Sequence, residues 1–388
     1  MLKRTYRYRL YPTPAQERAM VITLRECRNL YNHMLAERRD IYEAEGRTLT
    51  LYEQQDSIKG LKTEGSALRK VYSQVLQNVA VRLDLAFKAF FRRLRDGDKP
   101  GYPRFKGAGR YNSFTYPQSG FRLEKVGKLS EGGRVFLSKI GHVKASVHRP
   151  LEGKVKTATV RRSSTGKWFI CIACEVEPEP LPVSKEKVGV DLGLKSLVAT
   201  SDGEHIEAPR FFRTEEKALA RAQHRHAETE GASTRDEKRK REHRRKVVAR
   251  VHERIRDKRR NFAHQVSRTL VNHYSFIAFE DLSINRMVKN HSLAKSIADA
   301  AWTDLASKTS YKAESAGRTF VEVNPAYTSQ DCSRCGYRQV ISLSERVYTC
   351  PECGLALDRD ENAARNILTV GLHGRRGVSD ASQEARAL

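Results

Sequence analysis

Two Cys-x-x-Cys hooks, Cys332-Ser-Arg-Cys335 and Cys350-Pro-Glu-Cys353, stand fourteen residues apart in this chain. Each hook turns tightly enough to aim two thiolates at one point, and two hooks complete the four-sulfur tetrahedron that Zn2+ accepts in a closed structural site. Gly336 and Gly354 follow the second cysteine of each hook, as a tight turn needs. Disulfides or reduced core thiols are the alternatives, but the hooks lie among polar residues and nothing in the chain suggests an oxidising compartment. A zinc with four thiolates has no open coordination position, so this metal holds structure and the chemistry belongs elsewhere. In small zinc modules the ion contributes about 10 to 16 kcal/mol to folding, enough to order a knuckle with almost no core of its own. What the knuckle positions is Asp358-Arg-Asp360, directly behind it at the start of a helix carrying Ala363, Ala364, Ile367 and Leu368.

At 388 residues the chain exceeds one core and suggests two or three domains. Its formal charge of +26 points to a polyanion partner, nucleic acid first, because each phosphate neutralised releases condensed counterions. A membrane surface is the alternative, yet no run of about 18 apolar residues exists and Met1-Leu-Lys-Arg-Thr-Tyr-Arg7 lacks the apolar region of a signal peptide. A soluble, cytoplasmic protein with no membrane partner is expected. Three further cysteines have bland readings. Cys27 falls in an apolar helical stripe and reads as a core thiol, while Cys171 and Cys174 lie in a strand where residues three apart face opposite ways and cannot chelate together.

Residues 3 to 12 alternate basic and apolar types, as a strand would, and Thr13-Pro-Ala-Gln16 then spells a capping box with proline in the first helical turn. A second long helix is predicted from about Leu68 to Arg95, ended by Asp96-Gly-Asp-Lys-Pro-Gly-Tyr-Pro103. Residues 113 to 180 are mostly β, and Glu177-Pro-Glu-Pro-Leu-Pro182 marks a domain boundary. Beyond it, Lys187 to Gly203 reads as consecutive antiparallel strands with Asp191 inside the first apolar run. A carboxylate there is costly to bury alone, and a metal or cationic partner would offset that cost; a half-exposed strand-edge aspartate is the structural alternative.

From Phe211 to Val266 the pattern is helical and strongly basic. Lys238, Arg239, Lys240, Arg241, Arg244, Arg245, Lys246, Lys258, Arg259 and Arg260 are read as a phosphate-contacting face opposite an apolar stripe. Tyr274 to Glu280 forms a short apolar strand ending in an acid. Asp191, Glu280 and one of Asp358 or Asp360 thus come from three separated places, each adjoining a rigid element. Hydrolysis of a phosphodiester by two metals needs such an arrangement, with hard carboxylate oxygens holding Mg2+ ions about 4 Å apart.

These residues resemble the TnpB proteins of insertion sequences, compact relatives of the type V CRISPR effector nucleases. The resemblance spans nearly the whole chain: Arg9-Leu-Tyr-Pro12, Leu30-Tyr-Asn32, Gly101-Tyr-Pro-Arg-Phe105, Gly189-Val-Asp-Leu-Gly193, Phe279-Glu-Asp-Leu282, Ala326-Tyr-Thr-Ser-Gln330, the four cysteines and Asp358-Arg-Asp-Glu-Asn-Ala-Ala364. Leu357 stands where many relatives carry a polar residue. The resemblance implies an α/β multi-domain protein: a helical recognition domain (13–112), a β-barrel-like wedge domain (1–12 with 113–182), an RNase H-like (RuvC) nuclease domain (183–324 with 357–370) and an inserted zinc ribbon (325–356). The residues after 371 read as a disordered tail.

By the same resemblance the catalytic acids are Asp191, Glu280 and Asp360, a choice over Asp358 that spacing alone does not make. Tyr52, Gln77 and Thr115 become candidates for reading a short motif beside the target. The implied activity is an Mg2+-dependent, RNA-guided DNA endonuclease acting as a monomer with a guide RNA from the transposon end on double-stranded target DNA, where base pairing reads the target and the protein reads duplex shape and the flanking motif. A catalytically silent RNA-guided repressor and a guide-independent transposase are the competing readings.

Overall fold

The chain enters its first helix as the capping box predicts. In the computed structural model, which describes residues 1–63, 65–125, 133–282, 284–287, 289–290, 293–342 and 345–384, the Thr13 hydroxyl accepts from the Gln16 amide and Gln16 Oε1 accepts from the Thr13 amide at 3.0 Å. Strand β1 (Leu2–Tyr11) precedes this cap and helix α1 (Pro14–Glu45) follows it, ending at Gly46 in the left-handed region. Helix α2 (Leu51–Leu61) starts on a second capping box, Thr50 with Glu53, which the apolar pattern alone does not reveal. Helix α3 (Ser73–Arg95) begins later than the Leu68 predicted, because Val71 and Tyr72 are extended. There Val71 is buried and Tyr72 stacks on Tyr116.

Strands β2 (Ser113–Tyr116), β3 (Phe121–Lys125), β4 (Gly133–Leu137), β5 (Gly141–Ser146), β6 (Lys154–Arg162) and β7 (Trp168–Val176) join β1 in an antiparallel, nearly closed, barrel-like sheet of order β2-β6-β7-β1-β5-β4-β3. Along β7 the buried positions are Trp168, Ile170, Ile172, Cys174 and Val176, so Cys171 points to the other face, as the strand period requires. Cys27 is buried in the core that α1 and α3 share with this sheet, and burial pushes its thiol pKa up to about 12. Residues Met1–Glu177 form one compact unit, and the break at Pro178 falls in the proline linker.

The second unit, Pro178–Leu388, is built on a five-stranded sheet. Strands β8 (Lys187–Asp191), β9 (Ser196–Thr200) and β10 (His205–Glu207) are antiparallel neighbours. Helices α4 (Phe211–Ala227) and α5 (Arg235–His273) then cross over to β11 (Phe276–Glu280), which lies parallel to β8. The basic segment is therefore two helices, parted at Gly231 and restarted by a Thr234–Glu237 capping box. Helices α6 (Ile284–Met287), α7 (Ala294–Ala300) and α8 (Trp302–Ser315) lead to β12 (Thr319–Val323), parallel to β11, giving the order β10-β9-β8-β11-β12. A two-stranded ribbon, β13 (Val347–Thr349) with β14 (Ala356–Asp358), precedes the last helix, α9 (Arg359–Glu384).

Helix α9 continues past Gly371 to Glu384, so the segment expected to be a disordered tail is helical to that point, with 385–388 outside the described residues. No proline interrupts it, and Gly371 is a packing glycine rather than a stop: a Cβ there would come within 2.9 Å of the Ala278 side chain. Gly189 matters more, because a Cβ on it would sit 1.9 Å from the Ala364 carbonyl oxygen. Bare backbone at the centre of the sheet is what lets α9 lie on β8. Gly189→Ala should push α9 off the sheet and cost about 1 to 3 kcal/mol or more, an overpacking effect that a melting temperature would register.

Candidate active site and cysteine cluster

Parallel pairing decides which acids meet. Val190 of β8 is registered with Phe279 of β11, so Asp191 and Glu280 occupy the next step of the same ladder. Their side chains leave the carboxyl ends of adjacent strands about 4.8 Å apart, a sheet's own spacing. Helix α9 crosses β8 at Gly189 and brings the acids of its first turn to the same end. Burial raises the Asp191 pKa well above the usual carboxylate range, and the charges of Glu280 and Asp360 raise it further. Glu280 is raised too, by burial and by Asp360, against a hydrogen bond in which the Thr328 hydroxyl donates to Glu280 Oε1 at 2.8 Å. These three carboxylates crowd one another with too little positive charge among them. Hard divalent cations are the partners that such a donor set fits.

Geometry also separates the two late aspartates. Asp358 Oδ1 accepts from the amides of Asp360 at 2.8 Å and Glu361 at 3.3 Å, which makes Asp358 the N-cap of α9. Its carboxylate is committed to the helix, whereas Asp360, among the described residues, reaches Arg359 at 3.3 Å and Arg346 at 3.9 Å. Lys195, Ser196, His205, Glu207 and Arg346 line a small cleft with Asp358 and Asp360. Thr328, Lys195 and Arg346 carry no signal in spacing alone, because their proximity to the acids arises only in the fold.

The cysteine cluster closes as the hooks predict. Its four sulfurs lie within 4.8 Å of one another, with Cys332 to Cys353 and Cys335 to Cys350 at 3.6 Å. A tetrahedron with Zn–S bonds of about 2.3 Å has edges of roughly 3.8 Å, so the thiolates can hold a zinc ion. The Gly336 and Gly354 amides close each turn onto Cys332 O and Cys350 O, both with positive φ. Among the described residues no other group of three or more metal-ligating side chains converges this tightly.

The predicted nucleic-acid contacts divide. Lys238, Arg239, Lys240, Arg241 and Arg260 are exposed on α5 and make no ion pair among the described residues. Arg244, Arg245, Lys246, Lys258 and Arg259 are instead engaged by Glu228, Glu242, Glu215 and Asp299. Arg259 is the most deeply engaged of these, since the Asp299 side chain it binds at 2.7 Å is almost wholly buried. Tyr52 and Gln77 are exposed on α2 and α3. The Thr115 hydroxyl accepts from Arg82 at 2.7 Å and shares a hydrogen bond with Thr159 at 2.8 Å.

No helix among the described residues is long and apolar enough to cross a membrane. Family models match residues 1–47 ("Helix-turn-helix domain"), 170–291 ("Probable transposase" of the OrfB IS605 group) and 302–367 ("Cas12f1-like, TNB domain"). A Streptomyces pristinaespiralis protein assigned as an RNA-guided DNA endonuclease is 35% identical over 96% of this chain and 90% of its own length. The InsQ protein of Escherichia coli strain K12, assigned the same activity, is 31% identical over 99% of this chain and 96% of its own length. In fold, the chain is similar to Cas12f1 as solved in its complex with guide RNA and target DNA, with a TM-score of 0.59 at 14% identity over 94% of this chain and 98% of that one.

Proposed function

This chain belongs to the TnpB family, and on that premise we propose that it is an RNA-guided DNA endonuclease whose nuclease site is the carboxylate trio Asp191, Glu280 and Asp360. The observation that carries the reading is the convergence of three acids from β8, β11 and α9 toward one end of the five-stranded sheet, where Glu280 and Asp360 raise the Asp191 pKa and Asp360 raises that of Glu280. Strand order and the ribbon between β12 and α9 support an RNase H-like domain carrying an inserted cysteine module.

Two Mg2+ ions at this trio would supply an activated water and charge for the leaving oxygen. Asp191, Glu280 and Asp360 would hold the ions, and the charges of Glu280 and Asp360 both act on Asp191. The chain's own residues do the positioning. Thr328 fixes one oxygen of Glu280 and leaves the other for a ligand. Asp358 holds the first turn of α9, whose dipole favours the nearby acids and keeps Asp360 at the site. Lys195 and Arg346, at the cleft, are placed to meet phosphate oxygens on either side of the cut. The Cys332, Cys335, Cys350 and Cys353 site would carry Zn2+ and no chemistry.

Guide RNA and double-stranded DNA are the proposed partners of a monomer, met in part by the unpaired cations of α5. Lys238, Arg239, Lys240 and Arg241 replaced together by alanine should lower the slope of log affinity for RNA against log salt by about 3. Arg259→Ala should leave that slope alone and instead lower stability by about 3 kcal/mol, since it leaves the buried Asp299 carboxylate without its cation and held by the Phe212 amide. The family model's description keeps a transposase reading in view. Target cleavage assayed with and without co-purified RNA separates the two: dependence on a discrete RNA supports guiding, and strand transfer without RNA rejects it.

A further inference from the structure

Helix α9 carries two asparagines one turn apart that take no part in the proposed chemistry. Asn362 is fully buried, with Oδ1 accepting from the Ser333 amide at 2.9 Å and Nδ2 donating to the Asp331 carbonyl at 2.8 Å. Asn366 Nδ2 reaches the Thr328 carbonyl at 2.8 Å and the Asp331 carbonyl at 2.7 Å. Ser333 lies inside the first cysteine hook, between Cys332 and Cys335. Thr328, at the other end of the same six residues, is buried and donates to Glu280. One short segment is thus pinned to the cysteine cluster at one end, gripped by α9 along its length, and bonded to a carboxylate of the trio at the other.

We propose that residues 328–333 are a strut coupling the cysteine cluster to the divalent-ion site, with Thr328, Asn362 and Asn366 as positioning residues. The inference rests on the assignment of Asp191, Glu280 and Asp360 as the ion-binding trio and deepens it. Asp360 and Asn362 sit two residues apart on α9, so any slip of the hook against the helix moves Asp360. The same slip pulls Thr328 away from Glu280, so one displacement misplaces two of the three acids. A buried amide with donor and acceptor both satisfied resists that slip, because moving the hook would leave its polar atoms without partners. The ion at the cysteines and the ions at the acids are therefore linked, and linkage between bound groups is reciprocal.

Manganese binding to the full chain carrying its guide RNA tests this without requiring turnover. Thr328→Val removes the hydroxyl and keeps the shape; it should weaken Mn2+ binding, read by electron paramagnetic resonance, by about 10-fold or more, as loss of partners behind metal ligands does. Zinc content and guide retention should be unchanged, and Thr328→Ser should restore Mn2+ affinity. Asn366→Ala should weaken Mn2+ in the same direction. In the reverse sense, Mn2+ should slow zinc release to a thiol-reactive mercurial in the wild-type chain and fail to do so in Thr328→Val. Wild-type Mn2+ affinity in Thr328→Val, or zinc release indifferent to Mn2+ in the wild type, overturns the strut. Failure of the underlying assignment looks different: Asp191→Ala would then bind Mn2+ as the wild type does.

Discussion

Asp191→Asn is expected to abolish target cleavage, by on the order of 10^3-fold or more, because a displaced metal forfeits several kcal/mol of transition-state stabilisation. Guide and target binding should persist, since asparagine keeps the size of this side chain. A second readout moves the opposite way. The Asp191 carboxyl has its pKa raised in the folded chain by burial, Glu280 and Asp360. A carboxyl with a raised folded-state pKa binds its proton more tightly folded than unfolded, so its contribution to metal-free stability declines as pH rises above the ordinary carboxylate range. Asparagine removes that burden. The variant's melting temperature in chelator at neutral pH should therefore rise while its cleavage vanishes, and the gain should shrink toward pH 4. A residue retained for structure would lower both.

Cys350→Ser should have the largest effect on stability. Cys350 is buried, its sulfur is 3.6 Å from Cys335, and the cluster has little apolar core beyond Tyr348 and Leu355. Losing one thiolate of four removes most of a binding free energy of about 10 to 16 kcal/mol, which is the folding free energy of such a module. Zinc stoichiometry should fall, protease should cut within 331–356, and cleavage should fail as the hook's grip on α9 is released. Cys171→Ser, on the outer face of β7, should leave zinc content unchanged.

Local chemistry was written plainly in the chain. The Thr13 box, the alternation of β7, the core placement of Cys27 and the paired cysteine hooks each rest on residues that interact with near neighbours. What depends on distant partners was not. Asp191 and Glu280 are recognisable as acids at strand ends, but only the parallel register of β8 on β11 makes them neighbours. Spacing does not tell Asp358 from Asp360, and the hydrogen bonds that commit Asp358 to the helix cap arise only in the fold. The ion pair of Arg259 is not legible in the basic stripe because Asp299, its partner, is forty residues away in sequence. The break between α4 and α5, at Gly231 and the Thr234–Glu237 box, is hidden in the sequence because the basic periodicity runs across it.

The central claim is that three carboxylates from β8, β11 and α9 grip divalent ions in concert. Anomalous scattering from Mn2+ in crystals of the chain bound to guide RNA and uncut target measures this directly. Two peaks about 4 Å apart are expected, ringed by Asp191, Glu280 and Asp360 with a DNA phosphate against them. Occupied peaks elsewhere, with these three side chains turned from the metal and from the DNA, would contradict it.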